Sequence, residues 1–66
     1  MQSHMERVIV EKAELDAKLD KLVAFMEGKV FAALPPSDRA LLCRQAYYMR
    51  SYSAVLGERL NAAVTP

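Results

Sequence analysis

The residue types that catalyse reactions or hold metals are sparse in this chain of 66 residues. The only histidine, His4, lies in an opening segment, residues 1–4, that we expect to be an expression-tag remnant before Met5. Without it, imidazole-bound zinc, Ser-His and Cys-His nucleophiles and histidine acid–base catalysis are all excluded. Asp16 and Asp20 lie four residues apart, but two carboxylates without further ligands are typical of a solvated helix face. The sequence therefore predicts a protein that is not an enzyme and uses no cofactor or metal.

One stretch of the second half combines side chains that are typical of binding sites. Tyr47 lies beside Arg44, Arg50 and Cys43 on a helical projection, away from the apolar stripe. Tyrosine and arginine are the commonest hot-spot residues of interfaces, and arginine also pairs with carboxylates and phosphates. We assign these four residues to partner binding. Tyr47 itself is open to three interpretations: contact with a second copy, contact with a different partner, or an exposed aromatic without a role.

Charge is divided unevenly between the two halves of the chain. The first half, up to Glu27, carries six acids and four bases from Met5 on, whereas the second, from Pro36, carries two acids and four arginines. These arginines either bind an acidic or phosphate-bearing partner or pair with the first half, and we favour such a pair between Arg59 and Glu11. The net charge of +1 argues against binding to nucleic acid.

Other features of the composition concern the location of the protein. No apolar run approaches the roughly 20 residues of a membrane span, and no signal-peptide pattern is present. The lone Cys43 has apolar neighbours and is interpreted as a small buried side chain rather than a nucleophile. A cytoplasmic protein without a membrane partner is expected.

Apolar spacing predicts two helices joined by a short connector. The apolar residues of the first half lie within about 60° on a helical projection, and they are Val8, Leu15, Leu19, Leu22 and Met26. We therefore predict helix 1 at residues 5–27, closed by Gly28 in a left-handed conformation. Residues 28–35 form a connector, a turn or a short helix, and helix 2 follows at residues 36–63 with Pro36 in its first turn. Residues 5–64 thus make one all-α domain.

So short a connector requires the two helices to fold back as an antiparallel hairpin. Facing residues then have numbers that add up to about 67 or 68, a register in which the two apolar patterns meet. The residues expected in this core, or in contact with a second copy, are Leu15, Leu19, Leu22, Met26, Leu42, Gln45, Met49, Tyr52 and Leu56. Gln45 is interpreted as a buried amide that fixes the register. Because further apolar residues flank this core, we expect homodimerisation into a four-helix bundle, or else docking on a different protein.

Three different motifs together span nearly the whole chain. They read R-V-I-x-E-K-x-E-L-D-x-K-L-x-K-L-x-x-F from Arg7, F-x-x-L-P from Phe31, and L-L-x-x-Q-x-x-x-M-x-x-Y-S-x-V-L-x-E-R-L from Leu41. In these motifs the chain resembles a family of very small phage and prophage helical-hairpin proteins, similar to quorum-sensing anti-activators of phages. That resemblance implies a dimeric host-takeover factor in the cytoplasm of the infected bacterium. It also implies binding to a host transcription regulator or to a pilus assembly ATPase.

Two functional hypotheses follow. The first is a phage-encoded, non-enzymatic protein that inhibits a host regulatory protein, such as a quorum-sensing transcription regulator, by covering one of its surfaces. The second is an anti-defence sponge that captures a cyclic-nucleotide signal, with Arg44, Arg50 and the tyrosines holding phosphates and bases. Only the second predicts that a nucleotide stabilises the folded protein.

Overall fold

The fold is entirely helical in the computed structural model, which describes residues 3–64. It consists of α1 (His4–Met26), α2 (Lys29–Ala33) and α3 (Pro36–Val64). The prediction of an all-α fold is confirmed, with three helices rather than two, because the connector contains α2. None of these helices combines the length and the apolar content that a membrane crossing requires.

The start of α1 is fixed by a side-chain cap. Ser3 is the N-cap residue, and its hydroxyl accepts a hydrogen bond of 3.1 Å from the backbone N–H of Glu6. Ser3 and Glu6 have the S-x-x-E spacing of a capping box, in which a serine satisfies one of the free amides of the first turn. Ser3 and His4 are therefore the cap and the first residue of α1.

The turn between α1 and α2 differs from the prediction. Gly28 was expected in a left-handed conformation, but its φ is −93° and it serves as the N-cap of α2, so that expectation was wrong. The end of α1 is closed instead by a tightened turn, in which Gly28 N–H donates to the carbonyl oxygen of Phe25 at 3.1 Å. Phe25 also contacts Phe31 of α2, edge to face, with ring centroids 6.3 Å apart. This contact holds α2 against the end of α1.

α1 and α3 lie side by side and run in opposite directions. Their flanking contacts show the direction: His4 meets Arg59 near one end, and Glu11 meets Tyr52 further along. Between them lies a narrow core whose most buried members are Val8, Ala46, Ser53 and Leu56. The molecule is accordingly long and thin, with principal extents of 48 × 20 × 14 Å.

Both helices present a heptad to this shared core, which we call the seam. On α1 it consists of buried or half-buried residues at alternating spacings of three and four, namely Met5, Val8, Lys12, Leu15, Leu19, Leu22 and Met26. On α3 it consists in the same way of Leu42, Ala46, Met49, Ser53, Leu56 and Leu60. The two helices align so that the numbers of facing residues add up to about 68. In this alignment each member of the α1 heptad from Val8 to Met26 faces a member of the α3 heptad.

Two residues that we expected in this core lie outside it. Gln45 is exposed and Tyr52 is 44% exposed, while the neighbouring Ala46 and Ser53 are buried in their place. The physical reason is distance, because small side chains at the seam let the helix axes approach and leave no room for a tyrosine. Gly57 shows the same closeness, since a Cβ added there would lie 3.4 Å from the Lys12 side chain.

A small polar network crosses the seam. The Ser53 hydroxyl donates to one carboxylate oxygen of Asp16, and the Lys12 ammonium lies 2.8 Å from the other. The hydrogen bond from Lys12, with a second from Ser53, lowers the pKa of the Asp16 carboxyl from its ordinary value of 3.8. Ser53 is the only buried residue of the described chain with a polar side chain, and the network satisfies its hydroxyl group.

Candidate functional site

Two surfaces of α3 face away from α1, and both carry large or charged side chains. The first, which we call the arginine ridge, consists of Arg44, Tyr47 and Arg50. The second, which we call the tyrosine strip, consists of exposed residues at heptad spacing, namely Leu41, Gln45, Tyr48, Tyr52 and Val55. The two surfaces lie on different sides of the helix.

The arginine ridge brings together the residues predicted to bind a partner. Arg44, Tyr47 and Arg50 are three residues apart, so they form one oblique row along the helix, and all three are exposed. The rise of about 1.5 Å per residue separates the two arginine Cα atoms by about 9 Å along the axis. Tyr47, between them, is 63% exposed. Cys43 lies beside this row and is exposed, which corrects our expectation of a small buried side chain.

The electrostatics of the ridge favour an anion. The acids of α3 are Asp38 and Glu58, which lie at its two ends, well away from the ridge. Within residues 3–64 the single ion pair joins Lys12 to Asp16, so Arg44 and Arg50 make no ion pair in the described part of the chain. Arg44 and Arg50 lie about 60° to either side of Tyr47 on the helical projection, and guanidinium groups without carboxylate partners attract phosphate or carboxylate groups from solution.

The shape of the ridge is open and shallow. The residues beside it are small and exposed, namely Ala40, Cys43 and Ala54. The Tyr47 ring meets the Tyr48 ring edge to face, at 5.5 Å between centroids and 73° between planes. This contact holds the Tyr47 ring on the side toward the tyrosine strip.

The tyrosine strip includes two residues that we expected in the core, Gln45 and Tyr52. Leu41, Tyr48 and Val55 are 56%, 61% and 48% exposed. The Tyr52 hydroxyl donates to the Glu11 carboxylate, and this hydrogen bond raises the pKa of Tyr52 above its ordinary value of 10.0. Gln45 is an exposed amide rather than a buried one, with its side-chain nitrogen 3.9 Å from the Met49 sulfur.

Within residues 3–64 the structure does not contain the ion pair that we expected between the two halves of the chain. Arg59 was expected to pair with Glu11, but its guanidinium lies 3.0 Å from Nε2 of His4, while Glu11 accepts from Tyr52. The contact between Arg59 and His4 joins the two open ends of α1 and α3. This contact was not predicted, because we expected residues 1–4 to be a tag remnant.

Cavities are small and lie away from the predicted residues. Two open hollows, of about 420 and 360 Å³, lie on the two sides of the seam near the end of α3. Their lining is mostly apolar and includes Met5, Ile9, Val8 and Leu60. In the described part of the chain, no three histidine, cysteine or acidic residues are grouped as metal ligands. The geometry thus offers a binding surface on α3 rather than an enclosed reaction site.

Comparison with known proteins adds one finding. Residues 2–62 match the family model described as Sequestin. The name suggests a small protein that binds and sequesters another molecule, rather than an enzyme. No curated protein and no solved structure matches the chain.

Proposed function

Because the chain belongs to the Sequestin family, we propose that it sequesters a small anionic signal by stoichiometric binding, without catalysis. The ligand in this proposal is a phosphate-bearing nucleotide of the cyclic type. The observation that carries the proposal is the arginine ridge, where Arg44 and Arg50 flank the exposed Tyr47 and make no ion pair within residues 3–64.

The ridge has the chemistry that a nucleotide needs. A guanidinium binds a phosphate through two parallel N–H groups, and Arg44 and Arg50 offer two such sites about 9 Å apart along the axis. A tyrosine ring between them provides a stacking surface for a base, and stacking of this kind contributes about 1–3 kcal/mol per base. A ligand with two phosphates and a base between them therefore matches the row of Arg44, Tyr47 and Arg50.

The size of the ridge favours a small ligand over a protein. A stable protein interface covers about 800 Å² on each partner and contains large apolar anchors. Around Tyr47 the side chains are small, with Ala40, Cys43 and Ala54 exposed beside it. The large apolar side chains of α3 lie on the tyrosine strip instead, and we assign that strip to contact with a second copy, so that the working unit is a homodimer.

A second candidate is inhibition of a host regulatory protein, such as a quorum-sensing transcription regulator or a pilus assembly ATPase. It is favoured by the residue types of the ridge, since Tyr47 with Arg44 and Arg50 is a typical hot-spot combination for an acidic protein surface. Under either candidate, the resemblance to phage and prophage proteins leads us to propose a phage-encoded protein. We propose that it acts in the cytoplasm of the infected bacterium.

Isothermal titration calorimetry with cyclic dinucleotides and cyclic trinucleotides tests the leading proposal. We expect binding to the wild type and loss of binding in Arg44→Gln/Arg50→Gln. The matched control is Lys21→Gln/Lys29→Gln, which removes two exposed charges outside α3 and should bind normally. A nucleotide present at about 100 times its dissociation constant should also stabilise the wild type by about 2.7 kcal/mol.

The outcome also decides between the candidates. If no nucleotide binds, but a host protein is captured by the wild type and lost in Tyr47→Asp, the second candidate replaces the first. If nucleotides bind equally well to the ridge variant and the wild type, the arginine ridge is not the site and the proposal is refuted.

A further inference from the structure

The single chain leaves an unusually large surface for its size. Its accessible surface is 5113 Å², whereas a compact monomer of 7.4 kDa would have about 4,200 Å². Only three hydrophobic residues among those described are buried, Val8, Ala46 and Leu56. A seam this narrow supplies little stabilisation, so further apolar surface is available for association.

The tyrosine strip belongs to a second, longer heptad on α3. At alternating spacings of three and four, this heptad consists of Asp38, Leu41, Gln45, Tyr48, Tyr52, Val55 and Arg59, all of them exposed. It is offset by one residue from the α3 heptad of the seam. At about 100° per residue, its centre lies roughly 100° around the helix from the centre of the seam. Such spacing is typical of a face that packs against another helix.

The order of residues along this heptad is symmetric about Tyr48. If the heptad is laid against a reversed copy of itself, Leu41 meets Val55, and Tyr48 meets its own equivalent. Gln45 meets Tyr52 in the same alignment, which pairs an amide with a ring bearing a hydroxyl group. Each apolar or polar position therefore finds a matching partner, as a two-fold interface between identical chains requires.

Charge at the two ends selects the reversed alignment. Asp38 and Arg59, the first and last members of the heptad, face each other at both ends of the reversed pair. A parallel pair would instead place the two copies of Asp38 together and the two copies of Arg59 together, and like charges that face each other are destabilising. Neither residue makes an ion pair within the described chain, although Arg59 contacts His4.

We propose that α3 pairs antiparallel with α3 of a second copy, about a two-fold axis at Tyr48. This inference specifies the homodimer of the proposed function and does not depend on the identity of the ligand. The two-fold axis lies perpendicular to the plane of the two α3 helices, so both α1 helices lie on the same side of that plane. With roughly 100° between the two faces of α3, the four helices form a nearly square bundle.

The bundle accounts for other exposed side chains. Phe25, which is 40% exposed, and the half-buried Leu15 and Leu22 lie on the flank of α1 that shares a side with Glu11 and the tyrosine strip. In the bundle this flank turns toward the α1 helix of the second copy. The arginine ridge lies about 120° from the strip on the outer side of α3, so it stays accessible to a ligand.

A charge exchange tests the register. Sedimentation equilibrium at micromolar concentrations should give a dimer for the wild type. Asp38→Arg and Arg59→Asp should each raise the dimer dissociation constant about tenfold, since each places two like-charged pairs in the interface. The double variant Asp38→Arg/Arg59→Asp should restore it, which the lost contact between Arg59 and His4 could not explain. A monomeric wild type, or a double variant weaker than both single variants, would overturn the proposal.

Disulfide trapping locates the two-fold axis. In a Cys43→Ser background, Tyr48→Cys should form a disulfide-linked dimer under mild oxidation. Its neighbour Tyr47→Cys, exposed to the same degree, is the control and should remain monomeric on a denaturing gel. Leu41→Cys tests for a parallel pair and should remain unlinked by itself. Efficient linkage at Leu41→Cys or Tyr47→Cys, but not at Tyr48→Cys, would exclude the antiparallel dimer. Both tests leave ligand binding aside, so they fail or succeed separately from the proposed function.

Discussion

Two valines on α1 test whether the narrow seam is the main source of stability. Val8 is 3% exposed and Val10, two residues further along the same helix, is 44% exposed. Val8→Ala and Val10→Ala remove the same atoms from the same helix, and both gain the higher helix propensity of alanine, about 0.5 kcal/mol. Their free energies of unfolding therefore differ only through burial.

The expected difference follows from the structure. Removing two buried methyl groups at Val8 costs about 1.6 kcal/mol of transfer free energy. The cavity contribution is small, because Val8 lines one of the open hollows and the space left behind is open to water. After the gain in propensity, Val8→Ala should destabilise the protein by about 1 kcal/mol, whereas Val10→Ala should be neutral or stabilise it by up to about 0.5 kcal/mol.

Urea unfolding followed by far-ultraviolet circular dichroism measures this difference. Both variants and the wild type are compared at the same protein concentration, because the proposed association makes the midpoint depend on concentration. The slope of the transition should be unchanged, since neither substitution alters the surface exposed on unfolding by much. If the midpoint of Val8→Ala equals or exceeds that of Val10→Ala, the seam is not packed as described.

Three further predictions concern single positions. Gly57→Ala should stabilise the protein by about 0.5–1 kcal/mol in urea unfolding, because the new Cβ meets only the flexible end of Lys12 and glycine is the weaker helix former; destabilisation would mean that Lys12 cannot move. The folded pKa of Asp16 lies below its unfolded value, so its contribution to stability is complete above about pH 4 and is lost as the pH falls through the folded pKa. Asp16→Asn should therefore flatten the pH dependence of the urea midpoint in acid, and an unchanged profile would contradict the network. Cys43 is exposed, so a thiol reagent should label it in the folded protein as fast as in urea, and protection would show that the surface beside the ridge is covered.

Much of the fold could be predicted from spacing alone. The two long helices, predicted at residues 5–27 and 36–63, begin and end within one residue of those bounds, since heptad spacing and proline are strong local signals. The face that α3 turns inward was harder to predict. Hydrophobicity favoured Tyr52, but the seam selects for small side chains, and Ser53 lies there because its hydroxyl has a partner in Asp16.

The candidate site was predicted in part. The grouping of Tyr47 with Arg44 and Arg50 follows directly from their helical spacing, which the structure keeps. What spacing could not show is that the arginines make no ion pair with the acidic first helix, because ion pairing depends on which flanks meet across the seam. The contact between Arg59 and His4 depends on His4 being the first residue of α1. The S-x-x-E spacing from Ser3 to Glu6 is the signal that would have indicated this start of the helix.

The one-residue offset between the two heptads of α3 divides the helix into positions with different freedom to vary. With the tyrosine strip assigned to a second copy, four of every seven positions are constrained by packing, in adjacent pairs such as Leu41 with Leu42 and Gln45 with Ala46. The three remaining positions in each repeat lie together on the outer side, where Arg44, Tyr47 and Arg50 are found. Because the ridge is the proposed ligand site, we expect substitutions there to alter ligand binding and to leave both packing surfaces intact. On this proposal, related chains can diverge in ligand preference while they keep the same architecture.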